Sequence, residues 1–495
     1  MNYTSTRDAS KVFSASEVIV KGISDDGGLF VPSSFPHLDA KLMDELSDMT
    51  YPERAAKILS LYIDDFSFEE LLIYANKAYS RFDGDACPVV KIEDGLYMLE
   101  LWHGPTCAFK DMALTLLPHL IVAAKKKLGR KDKTLVLVAT SGDTGKAALE
   151  GFKDVEDTEV IVFYPSKGVS PMQKLQMTTQ TGKNVHVAGI VGNFDDAQSA
   201  VKRIFNDAEI KKELEASGYK MSSANSINWG RLAPQIAYYI SAYLDLKDAG
   251  EIKAGDKVNF VVPTGNFGNV LAGYYAYKMG LPVNKFIIAS NANNVLTECF
   301  NDGVYDVNRD FYKTMSPSMD ILVSSNLERL IFEVCGRDDA YVRNLYAELA
   351  AEGKFEVEAE TLRDGVFEAG WADEEETKDA IFTFFDLDDY VMDPHTAVGA
   401  SVYNDYSCET DDDTPTVILS TANPFKFTSD VLCALGGREK DPFKALLKLQ
   451  AITAMDCPEN LLGLDRKEQI HTKVVDRDKV AQAVLDFVRE SAEKR

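Results

Sequence analysis

Lys110 is the first residue in the chain that could do unusual chemistry. It stands in His103-Gly104-Pro105-Thr106-Cys107-Ala108-Phe109-Lys110-Asp111, a glycine-proline turn followed by an apolar setting. Residues 99–101 can finish a strand, 103–106 can turn, and 108–124 can run as a helix, allowing for Pro118. Lys110 then falls in a first helical turn, where the helix dipole disfavours a cation. Phe109, Met112 and Ala113 beside it are apolar. Both effects leave a more nucleophilic amine, as a carbonyl-capturing lysine requires. A solvated lysine at a helix start is the competing local reading.

Three further stretches bear on that choice. Pro263-Thr264-Gly265-Asn266-Phe267-Gly268-Asn269 lies between a strand at 257–263 and a helix at 270–279. Glycines there let the backbone approach a ligand, and the helix start offers free N–H groups to a phosphate; a plain tight connection is the alternative. Thr140-Ser141-Gly142-Asp143-Thr144-Gly145-Lys146 follows an apolar run at 134–139 and imitates a nucleotide-binding loop. The nucleotide motif needs glycine where Thr140 stands and a hydroxyl residue where Ala147 stands, so that reading fails. The loop reads better as hydroxyls and N–H groups for a small anionic substrate. Asn225-Ser226-Ile227-Asn228-Trp229-Gly230-Arg231 brings a guanidinium suited to a phosphate or carboxylate, against the bland reading of a surface ion pair. Thr421, at the end of a 417–422 strand, could set a hydroxyl against a ring nitrogen, whereas His395 reads as structural because no partner for catalysis can be named. A reactive lysine, a phosphate cradle and a hydroxyl at a strand end together suggest a pyridoxal phosphate site.

These stretches need elements to hold them. Residues 134–139 form a continuous apolar run, as a buried parallel strand does, and strands at 160–164 and 185–187 alternate with helices. That rhythm predicts an α/β chain with a parallel sheet. Residues 14–22 have helical spacing, 25–32 read as a turn and short strand, and 40–79 are helical with a break near 48–52. Residues 89–102 suggest two short strands hinged at Asp94-Gly95. Amphipathic helices are expected at 195–217 and 229–246, a strand at 286–289, and a closing strand and helix at 474–475 and 480–491. Residues 301–390 carry helices without a βαβ pattern, and their acidic face reads as solvated. The expected division is a cap at 1–90, a small α/β domain with Lys110 at 91–195, and a large α/β domain at 196–495 with a helical insertion at about 295–390.

Composition excludes several partners. Net charge is −25, from 78 acidic against 53 basic residues, which argues against nonspecific binding to nucleic acid or an anionic membrane. An anionic ligand must therefore be held by local dipoles and a few placed cations. No apolar run reaches membrane-spanning length, and residues 1–10 lack a signal-peptide core, so the expected compartment is the cytoplasm. The seven cysteines are widely spaced with no Cys-x-x-Cys, and the histidines form no His-Glu-x-x-His; no metal is expected.

The same residues resemble the threonine synthases. Tyr3-Thr4-Ser5-Thr6-Arg7, Asp26-Gly27-Gly28-Leu29-Phe30-Val31-Pro32 and the His103 to Asp111 motif are similar to blocks of that family. So are Ser141-Gly142-Asp143-Thr144-Gly145, Asn225-Ser226-Ile227-Asn228-Trp229, Gly265-Asn266-Phe267-Gly268-Asn269 and Ser316-Pro317-Ser318-Met319-Asp320-Ile321. The resemblance implies pyridoxal-phosphate fold type II: two open, twisted, mostly parallel α/β domains with a helical N-terminal cap and a helical insertion. It implies a lyase of threonine biosynthesis that converts O-phospho-L-homoserine and water to L-threonine and phosphate. Lys110 would hold pyridoxal 5′-phosphate covalently and be the catalytic residue. Gly265, Asn266, Phe267, Gly268 and Asn269 would bind its phosphate, and Thr421 would meet its ring nitrogen. Ser141, Asp143, Thr144, Asn228 and Arg231 would line the substrate. A monomer or weak homodimer is expected. Two departures bear on substrate contacts: Asn423 stands where some members have His, and Lys146 where Ser is frequent. The rivals are another fold-type-II lyase, such as a serine/threonine dehydratase, and a non-catalytic phosphate-ligand binder.

Overall fold

The chain builds two mostly parallel sheets whose inner faces share one hydrophobic core. This is a computed structural model, and it describes residues 1–140, 142–166, 169–192 and 194–493. The larger sheet has six strands in the order Phe367–Trp371, Val283–Ser290, Val258–Pro263, Thr416–Ser420, Leu96–Glu100, Val89–Glu93. All pairings in it are parallel except the last, a hairpin through Asp94-Gly95. The smaller has five parallel strands in the order Val474–Asp476, Val185–Val191, Thr158–Pro165, Lys133–Ala139, Tyr219–Ser222. The central strands are apolar on both faces because both are covered, and alternate residues enter different cores. Val136, Val138, Phe260, Val262, Val417 and Leu419 point into the shared core. Leu135, Leu137, Ile161 and Phe163 point to a second core closed by Val480, Val484 and Val488 of the C-terminal helix. Val261 and Ile418 point to a third, under Val398 and Ile381.

The N-terminal segment forms a three-stranded antiparallel sheet, Asp8–Phe13, Tyr3–Ser5 and Phe30–Pro32, and then helices Ala40–Ser47, Tyr51–Tyr62 and Phe68–Tyr79. Helix Ala15–Lys21 starts at a capping box of Ser14 with Glu17. The 40–79 run breaks twice rather than once: Ser67 and Glu70 form a further capping box that starts a new helix. The helix expected at 108–124 is two, Asp111–Leu114 and Leu117–Lys127, because Pro118 belongs at the start of a helix and not inside one. The helix expected at 195–217 divides into Phe194–Asn206 and Ala208–Ala216, where the Asp207 carboxylate accepts from the Glu209 and Ile210 N–H groups.

Sheet membership departs from the grouping by sequence order. Strands Val89–Glu93 and Leu96–Glu100 fall inside 91–195 or at its edge, yet they belong to the six-stranded sheet. Tyr219–Ser222 and Val474–Asp476 lie beyond residue 195, yet they complete the five-stranded sheet. Within 301–390 the helices are accompanied by an edge strand of the larger sheet, Phe367–Trp371. Among the described residues, no helix is long and apolar enough to cross a membrane.

Candidate active site

In open parallel sheets, ligands bind beyond the carboxyl ends of the strands. Segments that follow such ends in both sheets line a cavity of about 900 Å³ here. Strand Leu96–Glu100 runs into the lysine segment, and Thr416–Ser420 into Thr421. The two segments are tied together: Phe109 N–H donates to the Thr421 carbonyl at 2.8 Å, and Asn423 N–H to that of Cys107 at 3.1 Å. The turn before Lys110 is fixed from inside. Asp111 accepts from Thr106 N–H at 2.8 Å and from its hydroxyl at 2.6 Å. A Cβ on Gly104 would stand 2.5 Å from that of Asp111, so only glycine fits the turn.

Lys110 is buried on the cavity wall and its amine is pushed down to about 8, chiefly by burial, with Lys426 and Arg231 adding to it and Asp143 opposing. The helix dipole invoked from sequence has only Asp111–Leu114 to act through, and Lys110 caps that helix. Nζ lies 3.3 Å from the Ser318 hydroxyl and 3.6 Å from Asp143 Oδ2. Asp143 is a shared acceptor. Its Oδ1 is 2.7 Å from the buried Lys426 ammonium and takes a bond from Gln173 at 3.0 Å. Burial pushes the Asp143 carboxyl up, but Lys426 and Lys110 outweigh it and hold it well below the usual carboxylate range.

The glycine loop lines the same cavity. Phe267 takes a left-handed conformation, φ 61°, directly before helix Gly268–Met279. Among the described residues, no N–H of 265–269 donates to a protein acceptor, whereas the loop's carbonyls are occupied. Ser324 donates to the Gly265 carbonyl at 2.7 Å, and Asn326 Nδ2 to that of Asn266 at 2.9 Å. The Asn269 Oδ1 accepts from Tyr238 at 2.5 Å and Tyr239 at 2.8 Å, which turns Nδ2 toward no partner while it is buried. Free N–H groups, an orphaned amide and a helix start suit a phosphate.

Of the residues singled out from sequence, Lys110, Asp143, Thr144, Arg231, the 265–269 loop and Thr421 line this one cavity. The Thr421 hydroxyl makes no hydrogen bond to another described residue. Arg231 has no carboxylate partner among the described residues; one nitrogen donates to the Ala224 carbonyl at 2.7 Å, and burial lowers its pKa to about 10. The surface ion pair is thereby excluded, and a buried guanidinium without a counter-ion calls for an anion. Ser141 lies outside the described residues. Asn228 is a correction: it does not line the cavity. Its Nδ2 donates to the Ile19 and Ser223 carbonyls at 3.1 and 2.9 Å, and its Oδ1 caps Gly230 N–H at 2.9 Å, so the side chain is spent on the fold.

His395 lines the cavity, although the sequence reading left it structural. Its Nδ1 bonds Asp393 at 2.7 Å and its Nε2 accepts the Ser318 N–H at 3.1 Å, an arrangement that fixes the Nδ1–H tautomer and holds the Ser318 loop. Ser318 lines the cavity and enters the sequence reading only within the Ser316 to Ile321 block; Lys426, which pairs with Asp143 without lining the cavity, is not singled out there, and its place shortly after Thr421 is the available signal. Of the two departures, Lys146 turns away to Glu150 and Gln180, and Asn423 caps Phe425 N–H at 3.0 Å; neither lines the cavity.

Three family models cover the chain: "Threonine synthase N terminus" at residues 2–79, "Pyridoxal-phosphate dependent enzyme" at 88–362 and "Threonine synthase, C-terminal" at 396–488. The chain belongs to the threonine synthase family. It is 39% identical to the threonine synthase of Schizosaccharomyces pombe, over 88% of this chain and 89% of that one. The crystal structure of a pyridoxal-phosphate-bound threonine synthase from Brucella melitensis superposes with a TM-score of 0.87 at 36% identity, over 99% of both chains. The yeast threonine synthase structure superposes with a TM-score of 0.89 at 34% identity, over 100% of this chain and 99% of that one. The fold is thus that of a threonine synthase, pyridoxal-phosphate fold type II, and its cofactor is pyridoxal phosphate. The residues present fit that group: a buried amine, a cradle of free N–H groups and an unpartnered hydroxyl face one cavity.

Proposed function

We propose that this threonine synthase family member converts O-phospho-L-homoserine and water to L-threonine and phosphate, with Lys110 as its catalytic residue. When bound, pyridoxal phosphate supplies an electron sink for carbanions next to the substrate's amino group. The 265–269 N–H groups and the Asn269 amide hold the cofactor phosphate at the start of helix Gly268–Met279. Thr421 presents a hydroxyl to the ring nitrogen, and a neutral partner keeps that nitrogen less cationic than a carboxylate would. Lys110 Nζ is the base placed to take the Cα proton. Loss of a Cβ proton lets phosphate leave Cγ; a proton then enters at Cγ, water adds its oxygen at Cβ, and a proton returned to Cα completes threonine. Arg231 binds an anionic end of the substrate, and Thr144, in the first turn of helix Asp143–Phe152, lines the same cavity.

The observation that carries this reading is a buried lysine amine that shares one cavity with a backbone cradle of free N–H groups. The test is phosphate release from O-phospho-L-homoserine with stoichiometric threonine. Lys110→Ala should lose both the near-visible cofactor band and turnover. Retention of both by that variant would assign the anchor to another lysine. Wild-type protein that deaminates threonine and leaves phosphohomoserine intact would make the chain a dehydratase instead.

A further inference from the structure

Lys426 lies in the deepest kind of setting for a lysine. Its side chain is 0% exposed, it does not line the cavity, and its ammonium lies 2.7 Å from Asp143 Oδ1 and donates to the Thr106 carbonyl at 2.8 Å. A buried ammonium is costly unless it is paired. The pairing has a consequence for the neighbouring lysine, because one carboxylate stands between two amines. Lys426 takes Oδ1 at contact distance, together with Gln173. Lys110 is left with Oδ2 at 3.6 Å, shared with the Ser318 hydroxyl at 3.4 Å. With Asp143 and Lys426 both charged, the pair is neutral. A proton on Lys110 then leaves an unbalanced positive charge beside Arg231.

We propose that Lys426 is a positioning residue: it holds the Asp143 carboxylate at contact distance as its own counter-ion and so leaves the Lys110 amine only a shared oxygen at 3.6 Å. It touches no reacting atom. It acts from the 3-10 turn Pro424–Phe427, separated by three residues from strand Thr416–Ser420. It also pins Thr106, in the turn that delivers Lys110. The inference rests on Lys110 being the cofactor lysine.

The charged and titratable groups around the pair come from every packed element. Asp143 and Lys146 come from helix Asp143–Phe152, Arg231 from Trp229–Leu232, and Asp111 and Cys107 from the lysine segment. His395 bears on Asp143 from helix Pro394–Thr410. The Asp111 carboxylate is occupied by Thr106, which leaves Asp143 as the acceptor both lysines contact.

The test follows the pH dependence with which cofactor-free protein captures pyridoxal 5′-phosphate, trapped with borohydride and counted by intact mass. Lys426→Met should free Asp143 for Lys110 and raise the midpoint by about one pH unit or more, the effect of one nearby charge. Lys426→Arg should keep the wild-type midpoint. Asp143→Asn should lower it, and in that background Lys426→Met should shift it less than in the wild type. An unchanged midpoint in Lys426→Met, or an equal shift in both backgrounds, overturns the proposal. If Lys426→Met does not fold by circular dichroism, Asp143→Asn decides, and an unmoved midpoint there overturns it equally. Lys110→Ala separates the two claims: capture persisting in that variant defeats the reading of Lys110, whereas failure confined to the Lys426 arms defeats only this inference.

Discussion

Two buried cations without a tight partner define the site at the scale of single residues. Lys110 shares a carboxylate at 3.6 Å, and Arg231 has none among the described residues. Capture of an aldehyde needs the neutral amine, so uptake of pyridoxal phosphate should rise with pH and level off above about 8, below the range of an ordinary lysine at about 10.4. Stopped-flow absorbance of cofactor-free protein measures this, and a rise continuing past pH 10 would contradict the burial argument. The linkage has a definite sign: the unfolded chain binds this proton more tightly, so Lys110's contribution to stability increases as pH climbs from about 8 toward the unfolded value. Asn228 makes the opposite case. Asn228→Ala strips the Ile19 and Ser223 carbonyls of their donors and should cost about 1–3 kcal/mol, lowering the melting temperature while kcat/KM stays within a few-fold. A raised KM at unchanged melting temperature would return it to the substrate. Sequence alone could not separate Asn228 from Arg231, since both lie in one polar stretch before a helix. An asparagine there caps the helix as readily as it binds a ligand.

Elements succeed as ligand holders here when a neighbouring backbone stands close. A Cβ on Gly265 would meet the Ser318 carbonyl oxygen at 2.9 Å and Met319 Cα at 3.3 Å. That neighbour is braced: Asp320 accepts from the Thr314 N–H at 3.0 Å, its hydroxyl at 2.6 Å and Asn291 at 2.8 Å, and Ser318 is tied to His395. Gly265→Ala must therefore move the cradle. It should weaken cofactor retention about tenfold or more, equal to about 1.4 kcal/mol. At Gly268 the nearest atom is the Ser226 Cβ at 3.2 Å, a milder contact than the 2.9 Å at Gly265, so Gly268→Ala should retain the cofactor better. Cofactor dissociation constants from absorbance titration check the order. Strand–loop–helix units such as 258–279 were legible because strand, glycines and helix are contiguous. Phe367–Trp371 was not: its Glu368 and Gly370 mask the apolar run, and its parallel pairing with Val283–Ser290 comes from distant chain.

At the scale of the molecule, the two sheets share an inner core, and the N-terminal segment joins them to the cradle through Arg329. This guanidinium is 0% exposed and donates to three segments: the Phe30 carbonyl at 2.8 Å, the Ile227 carbonyl at 2.6 Å and Asn326 Oδ1 at 2.5 Å. Asn326 in turn holds the Asn266 carbonyl at 2.9 Å and Ser226 at 3.0 Å. Beside it, Arg7 grips Glu328 with two nitrogens, at 2.9 and 2.7 Å. No local pattern could place the contacts of Arg329 with Phe30 and Ile227 or of Arg7 with Glu328, because they join residues about 100 to 320 positions apart. The net charge of −25 makes such placed cations the means of orienting an anion-binding loop. Arg329→Met keeps the volume but takes the donor from three acceptors, two of them in buried bonds, so it should cost about 3 kcal/mol or more. Because the lost bonds lead to the cradle, cofactor retention should fall together with the thermal midpoint. A destabilised variant that still binds pyridoxal phosphate with wild-type affinity would show that the N-terminal segment supports the fold without supporting the site.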